Sequence, residues 1–168
     1  AGTVRVRSVL MIIQRILLPG LAELKSRHPH LIVELVPEAR NIDLTKRDAD
    51  LAVRFSRPAQ GGLAIKAQKL AELEFAVFCA SCIPPDEEES QDWIGYDDAS
   101  ASLPQATWTE ALRRQSCGRL SNLRVSDLES ALEAAANGYG KSLLPKIACE
   151  GDNRFRLIDM PATSTTMT

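Results

Sequence analysis

The first 54 residues alternate between strand-like and helix-like apolar patterns, and this alternation constrains the fold most strongly. Residues 3–7 alternate apolar and polar side chains, which predicts a β-strand. Residues 12–27 carry apolar side chains at helical spacing, and residues 31–36 form a nearly continuous β-rich run. A polar connection, expected to hold a short helix or turn at 41–46, leads to a third strand at 51–55. This order predicts an open, mostly parallel α/β sheet.

Two prolines punctuate the first predicted helix. Pro19 lies inside it and should kink or restart it, because proline offers no backbone N–H and crowds the preceding turn. His28 precedes Pro29, and a residue before proline avoids the helical region. We therefore expect the helix to end at His28.

The remaining residues continue the same alternation of strands and helices. Residues 137–140, Asn-Gly-Tyr-Gly, predict a glycine stop after a helix. The tail from Thr163 is expected to be unstructured or cut. The further strands are predicted at 63–70, 73–80, 93–96, 120–125, 142–145 and 155–158, and the helices at 104–115 and 128–136.

Composition narrows the function classes. The 168 residues fit one domain or two small lobes, and 20 basic against 22 acidic side chains argue against nucleic-acid binding by this chain alone. The longest apolar stretch, residues 9–24, is too polar for a membrane span, and no signal-peptide cleavage site follows it. Four cysteines are too few for a disulfide scaffold, so we expect reduced thiols and a cytoplasmic location.

Several short motifs occur in a characteristic order. The first half carries Gly2-Thr-Val-Arg-Val, Leu17-Leu-Pro19, His28-Pro29 and Arg47-Asp-Ala-Asp-Leu-Ala-Val-Arg54. The second half carries Val125-Ser-Asp-Leu-Glu-Ser-Ala-Leu-Glu-Ala-Ala-Ala-Asn-Gly-Tyr-Gly-Lys-Ser-Leu-Leu-Pro145. The ordered set, spanning about residues 2–160, resembles the effector-binding domain of LysR-type transcriptional regulators.

This resemblance implies a two-lobed α/β fold of the type 2 periplasmic-binding-protein kind, with mixed, mostly parallel sheets and an effector in an interlobe cleft. Lobe one would comprise residues 1–77 and lobe two residues 78–160, with 161–168 returning toward lobe one. The family's N-terminal DNA-binding segment and its final strand and helix are expected to be absent from this chain. DNA binding would then belong to the full-length protein only, and the effector would act by shifting the geometry of a homodimer or homotetramer.

The resemblance also places effector contacts in the first lobe at the carboxyl ends of strands, where open α/β sheets bind ligands. Arg54 suits a carboxylate or other anion, and the alternative is an ion pair with Asp48 or Asp50. Arg40 also follows a strand on this side. Phe55 is expected either to stack on the ligand or to pack in the core.

Three further residues lie at predicted helix starts. Ser8 is expected either to hydrogen-bond the effector or to cap the first helix. Val9 stands in a stretch where relatives carry a hydroxyl residue, so the pocket should be more apolar than usual. Ser126 and Asp127 open the helix at 128–136; we expect one to cap it and favour Ser126 as the ligand contact.

No catalytic or metal-binding set stands out in the sequence. Cys79-x-x-Cys82 has redox-motif spacing but lacks the context of a thioredoxin-like site. Its two thiols would need two more ligands to hold zinc. We therefore expect no enzyme activity, no cofactor and no metal.

Two alternatives remain at this point. A solute-binding protein of a transport system shares the predicted fold, and an enzyme on that fold would need an acid–base group in the cleft. In the resembled family, the first helix of lobe one pairs with lobe two of a partner. That surface here would include Leu17, Leu21 and Leu24, which are equally suited to packing on the sheet.

Overall fold

The computed structural model describes residues 2–38, 49–55 and 66–160, together with the backbone of 163–167. The chain divides into two compact units. The first comprises Ala1–Glu72 with Thr166–Thr168, and the second comprises Leu73–Thr165. The sequence had suggested a division at 77/78.

The first unit is built on a three-stranded parallel sheet. Its strands are β1 (Gly2–Ser8), β2 (Leu31–Pro37) and β3 (Leu51–Val53), in the order β2-β1-β3. The register runs through the end of β1, where Ser8 lies opposite Pro37 on one side and Val53 on the other. The carboxyl ends of all three strands therefore meet at one edge of the sheet.

The helix after β1 changes its winding ahead of Pro19. It consists of α1 (Leu10–Ile12), a π-helical turn (Ile13–Leu17) and α2 (Leu18–Arg27), with Pro19 in the first turn of α2. A proline is tolerated at the start of a helix because its missing N–H has no partner to lose there. The predicted restart at Pro19 and the predicted end at His28 are both confirmed.

The apolar anchor of this helix lies in its first turns. Met11, Ile12 and Ile13 are buried, whereas no residue of α2 is. Leu17, Leu21 and Leu24 are half-buried. The side chains suggested for a partner surface thus keep part of their apolar area exposed.

The second unit contains two sheets, three α-helices and two short 3-10 helices among its described residues. The strand β4 pairs antiparallel with β7 and β8 and also pairs with β9, while β5 pairs parallel with β6. The bounds are β4 Ala71–Ala80, β5 Trp93–Tyr96, α3 Pro104–Gln115, β6 Leu120–Val125, α4 Leu128–Ala136, β7 Ser142–Pro145, α5 Lys146–Cys149, β8 Phe155–Leu157 and β9 Thr163–Met167.

The core of this unit is formed by β4, β5, α4 and β7. Trp93, Phe75, Leu132 and Leu143 are fully buried. The buried positions of α4 are 128, 131, 132, 134 and 135, and they include Leu128, Leu132 and Ala135, which follow the helical spacing seen in the sequence. Gly138 ends this helix with a φ of 81°, a left-handed conformation that glycine adopts without a side-chain clash.

The structure corrects two predicted elements. Residues 66–70 are not in a strand, so the strand predicted at 63–70 is wrong over its described part. The tail from Thr163 is not unstructured, since it forms β9 against β4. Threonine favours strands because of its branched Cβ, and an available strand edge supplies the pairing. The helix or turn expected at 41–46 lies outside the described residues.

Among the described residues, no helix has both the length and the apolar character needed to cross a membrane.

Candidate functional site

In the first unit, the end of β1 and the start of the following helix are joined through Ser8 and Val9. The buried Ser8 hydroxyl donates a hydrogen bond to the carbonyl oxygen of Val53 at 2.8 Å. Val9 is the N-cap residue and makes no side-chain capping bond, while its carbonyl accepts from the N–H of Ile13 at 3.1 Å. The interpretation of Ser8 as a helix cap is therefore wrong, because the hydroxyl ties β1 to β3 instead.

A carboxylate and two guanidinium groups meet at the same strand ends. Glu38 directly follows β2, and its Oε1 accepts from Nη1 of Arg7 at 2.8 Å. Arg54 directly follows β3, and its Nη2 lies 3.9 Å from Oε2 of Glu38. These side chains are only 12% (Glu38), 15% (Arg54) and 21% (Arg7) exposed, so solvent screens their charges weakly.

Glu38 is an ion-pair partner of Arg54 beside the Asp48 or Asp50 suggested from the sequence. Asp50 Oδ2 accepts the backbone N–H of Arg5 at 2.8 Å, and Asp48 lies outside the described residues. Glu38 is not among the side chains that the sequence suggests as partners of Arg54. The available signal was its position, since it follows a predicted strand at the same sheet edge as Arg54.

The other predicted contacts of this unit differ in burial. Phe55 is 6% exposed and belongs to the core, which favours packing over ligand stacking. Arg40 lies outside the described residues.

In the second unit, β5 and β6 end next to each other and lead into two caps. Asp127 caps α4 by accepting the N–H of Ser130 at 2.8 Å, which leaves the preceding Ser126 exposed. Asp97 follows β5, and its carboxylate accepts the N–H of Ser100 at 2.8 Å. The expectation that either Ser126 or Asp127 caps this helix is therefore confirmed, since Asp127 is the cap. Ser126 is exposed.

Tyr96, the last residue of β5, was missed as a candidate. Its hydroxyl is buried and makes no hydrogen bond within the described part of the chain. Burial, with a smaller effect of the Asp127 charge, raises the pKa of this phenol, so it stays protonated and can donate a hydrogen bond. The signal that could have found it is its place at the carboxyl end of a strand that pairs in parallel with β6.

A cavity of about 610 Å³ lies in the second unit between α3 and the β5–β6 pair. Glu110 on its wall accepts hydrogen bonds from Arg113 and Arg114, and these bonds lower the pKa of the carboxyl to about 2. This carboxylate is therefore a charged, already paired group at neutral pH.

The cysteines belong to no metal-binding cluster among the described residues. Cys79 is buried and Cys82 is exposed. Burial raises the pKa of the Cys79 thiol, with the nearby Glu88 charge adding to it, so the nucleophilic thiolate is disfavoured. No group of three or more His, Cys, Asp or Glu side chains within the described ranges is arranged to hold a metal ion.

Comparisons with known proteins agree with this architecture. Residues 1–168 match the model of the family described as LysR substrate binding domain. Among curated proteins, the Mau operon transcriptional activator of Paracoccus denitrificans is 25% identical over 163 residues. That match covers 94% of this chain and 54% of the activator, so the chain spans about half the length of this relative.

Solved structures show the same fold. The effector domain of the transcriptional regulator AmpR of Pseudomonas aeruginosa superposes with a TM-score of 0.73 at 21% identity, covering 99% of this chain and 83% of that one. The regulatory domain of CrgA, a LysR-type transcriptional regulator from Neisseria meningitidis, gives 0.73 at 19% identity, covering 99% and 87%. The regulatory domain of HypT from Salmonella typhimurium gives 0.75 at 16% identity, covering 98% and 83%. The predicted fold class is thereby confirmed.

Proposed function

Because the chain belongs to the LysR substrate binding domain family, we propose that it is the effector-sensing part of a transcription regulator and that it binds a small carboxylate. The observation that carries the choice of ligand class is the convergence of Arg7 and Arg54 at the strand ends of the first unit. Guanidinium groups bind carboxylates through paired, charge-assisted hydrogen bonds. The low exposure of both side chains strengthens such bonds, since little water competes for them.

Within the first unit, the remaining predicted contacts suit a ligand with a polar end and an apolar body. In the first unit, the Ser8 hydroxyl donates to Val53 and retains lone pairs that can accept a hydrogen bond. Val9 offers an apolar surface beside it. In the second unit, the exposed Ser126, which directly follows β6, is the predicted contact. Arg40 stays a predicted contact.

We propose that the effector acts by population shift. A ligand moves a conformational equilibrium only by the difference between its affinities for the two states. The DNA-binding segment would lie in the part of the regulator that this chain does not span. Such a regulator would act in the cytoplasm, and the domain would return its effector chemically unchanged, without cofactor or metal.

The expected homodimer or homotetramer would use the exposed side of α2. A groove of about 330 Å³ runs between α2 and β2, lined by Leu18, Leu21, Leu24 and Val33. Contact with a second copy of the chain would remove this apolar surface from water, which is favourable. Light scattering of Leu21→Glu against Ile32→Glu, an exposed position on β2 outside the lining of the groove, tests this surface. We expect only Leu21→Glu to lower the mass, and equal masses would contradict the proposal.

The ligand is tested by thermal shift against a panel of small aromatic and aliphatic carboxylates. A compound that binds only the folded protein raises the melting temperature as its concentration exceeds its Kd. We expect hits to be lost in Arg54→Ala and weakened in Arg54→Lys, which keeps the charge but not the two-pronged donor. Arg27→Ala is the matched control, because Arg27 is 70% exposed at the end of α2. Hits that survive Arg54→Ala would contradict the assignment of this site.

A further inference from the structure

The cavity of about 610 Å³ between α3 and the β5–β6 pair, hereafter the α3–β6 groove, has no part in the proposed function. Its volume lies in the range of small-molecule sites, which is roughly 300–1,000 Å³. Small and apolar residues line much of it, so it offers contact area to the body of an organic molecule. These residues are Gly95, Ala101, Ala106, Ala111 and Leu120, and all of them belong to the second unit.

Arg124 of β6 lies over Gly95 of β5, next to a shift in the register of the two strands. The shift falls between Trp93 and Gly95, and irregularities of this kind re-aim side chains. Nη1 of Arg124 donates to the carbonyl oxygens of Ser121 and Leu123. Cδ and Nε of the same side chain lie 3.2 and 3.3 Å from the place that a Cβ on Gly95 would take. The absence of a side chain at Gly95 therefore gives Arg124 its room beside the groove.

Two guanidinium groups of the groove lining retain donors for a ligand. Nε and Nη2 of Arg124 make no hydrogen bond to the described residues, and no described carboxylate pairs with this side chain. An Nε–H and an Nη2–H together match two oxygens of one anion. Arg114 of α3 donates to Glu110 through Nε, and its two Nη groups have no acceptor in the described part of the chain.

The groove carries an excess of positive charge. Glu110 accepts from Nε and Nη2 of Arg113, both at 2.7 Å, and from Nε of Arg114 at 2.6 Å. With Arg124, three guanidinium groups stand against one carboxylate, which leaves a net charge of +2. The hydrogen bonds and ion pairs of these four side chains all lie within the described residues. A ligand with two negative charges would therefore balance the groove.

We infer that the α3–β6 groove is a second binding site of this chain and that it takes a phosphate monoester of an organic alcohol. Such a group carries about −1.5 to −2 charges at pH 7, and its several oxygens can meet both guanidinium groups at once. The organic part lies on the apolar lining. A monocarboxylate leaves one positive charge unbalanced, so it binds here more weakly. The Arg114 side chain is 75% exposed, so added salt weakens the binding.

The test uses phenyl phosphate as the probe, with benzoate as a probe of one negative charge and phenol as the uncharged one. Amide chemical shifts of the isotope-labelled protein at low salt locate the binding and give the Kd. We expect phenyl phosphate to shift the amides of Gly95, Thr107 and Leu120. Its Kd at these amides should be about fivefold below that of benzoate, because of the second charge, and phenol should leave them unchanged.

Two substitutions remove the site in different ways. Arg124→Ala should raise the Kd of phenyl phosphate about tenfold, because charge-assisted hydrogen bonds are lost. Ala111→Leu fills the groove from an exposed position of α3 that leucine suits, so it should abolish the binding even if Arg124→Ala does not fold. Arg119→Ala is the matched control and should keep the wild-type Kd, because Arg119 is 82% exposed and does not line the groove.

Three results would overturn the inference. The first is that wild type does not bind phenyl phosphate at low salt or shows shifts only outside the groove. The second is an equal Kd in wild type and Ala111→Leu. The third is a lower mass of Ala111→Leu in light scattering, which would show that a second copy of the chain covers the groove. The carboxylate hits of the thermal-shift screen depend on Arg54 and the phenyl phosphate shifts on Arg124, so either site can fail without the other.

Discussion

Two buried serines in strands offer a direct test of which hydroxyl groups stabilise this protein. Ser8 in the first unit donates to the Val53 carbonyl at 2.8 Å. Ser142 in the second unit is fully buried, and its hydroxyl has no hydrogen-bond partner within the described residues. The substitutions Ser8→Ala and Ser142→Ala remove the same atom from the two environments.

The expected effects have opposite signs. Ser8→Ala loses a buried hydrogen bond and leaves the Val53 carbonyl without that donor, which costs about 1–2 kcal/mol. Ser142→Ala loses no bond and removes a buried polar group that costs free energy where it is, so its effect should range from zero to a stabilisation of about 1 kcal/mol. In a chain of this size, 1 kcal/mol corresponds to about 2–4 °C in Tm.

Urea unfolding with two probes separates the units. Both tryptophans, Trp93 and Trp108, lie in the second unit, so their fluorescence reports on Ser142→Ala. Far-UV circular dichroism and hydrogen exchange of β1 report on Ser8→Ala. A loss of stability in Ser142→Ala as large as that in Ser8→Ala would refute the reasoning, because it would mean that both hydroxyl groups contribute equally.

Three further substitutions have defined outcomes. Asp127→Ala removes the cap that accepts from Ser130 and should cost about 1 kcal/mol, measured by urea unfolding, with Asp127→Asn restoring most of it. Gly140→Ala should cost more than about 3 kcal/mol or abolish folding, since φ is 148° and a Cβ would collide with the Asp92 carbonyl oxygen; expression and a thermal melt check this. Glu110→Gln should cost at most about 1 kcal/mol at pH 7, because the ion pair is exposed. The folded-state pKa of Glu110 is lowered to about 2, so the ion pairs contribute to stability above about pH 4.5, and this contribution is lost as the pH falls toward 2. The difference in melting temperature between wild type and Glu110→Gln, measured at pH 7 and at pH 2, tests this expectation.

Much of the second unit could be predicted because its local signals agree with one another. The helices at 104–115 and 128–136 and the strands at 93–96, 120–125 and 142–145 have the bounds expected from the sequence. Pro104 starts the first of these helices, Asp127 caps the second and Gly138 ends it. Where the hydrophobic period, the cap and the stop all indicate the same boundary, the sequence is sufficient.

The predictions that were wrong concern segments whose structure depends on whether another strand pairs with them. Residues 66–70, the end of the strand predicted at 63–70, lie outside any strand, whereas 163–167 looked like a polar tail and form β9. A strand is stable only when a neighbour supplies hydrogen bonds, and that neighbour is remote in sequence. The threonines of the tail favour a strand, and its pairing with β4 supplies the hydrogen bonds that make it one.

The same argument explains why the position of Arg54 was predictable and its contact with Glu38 was not. A residue that follows a parallel strand lies at the ligand-binding edge whatever the register. The acid that it meets depends on the register, since a slip of one residue in β2 would turn Glu38 to the opposite face of the sheet. Sequence proximity indicated Asp48 and Asp50, whereas the pairing of neighbouring strands adds Glu38 to the site. Which charged groups meet at this edge therefore depends on how β2 and β3 pair with β1, and that pairing joins segments remote in sequence.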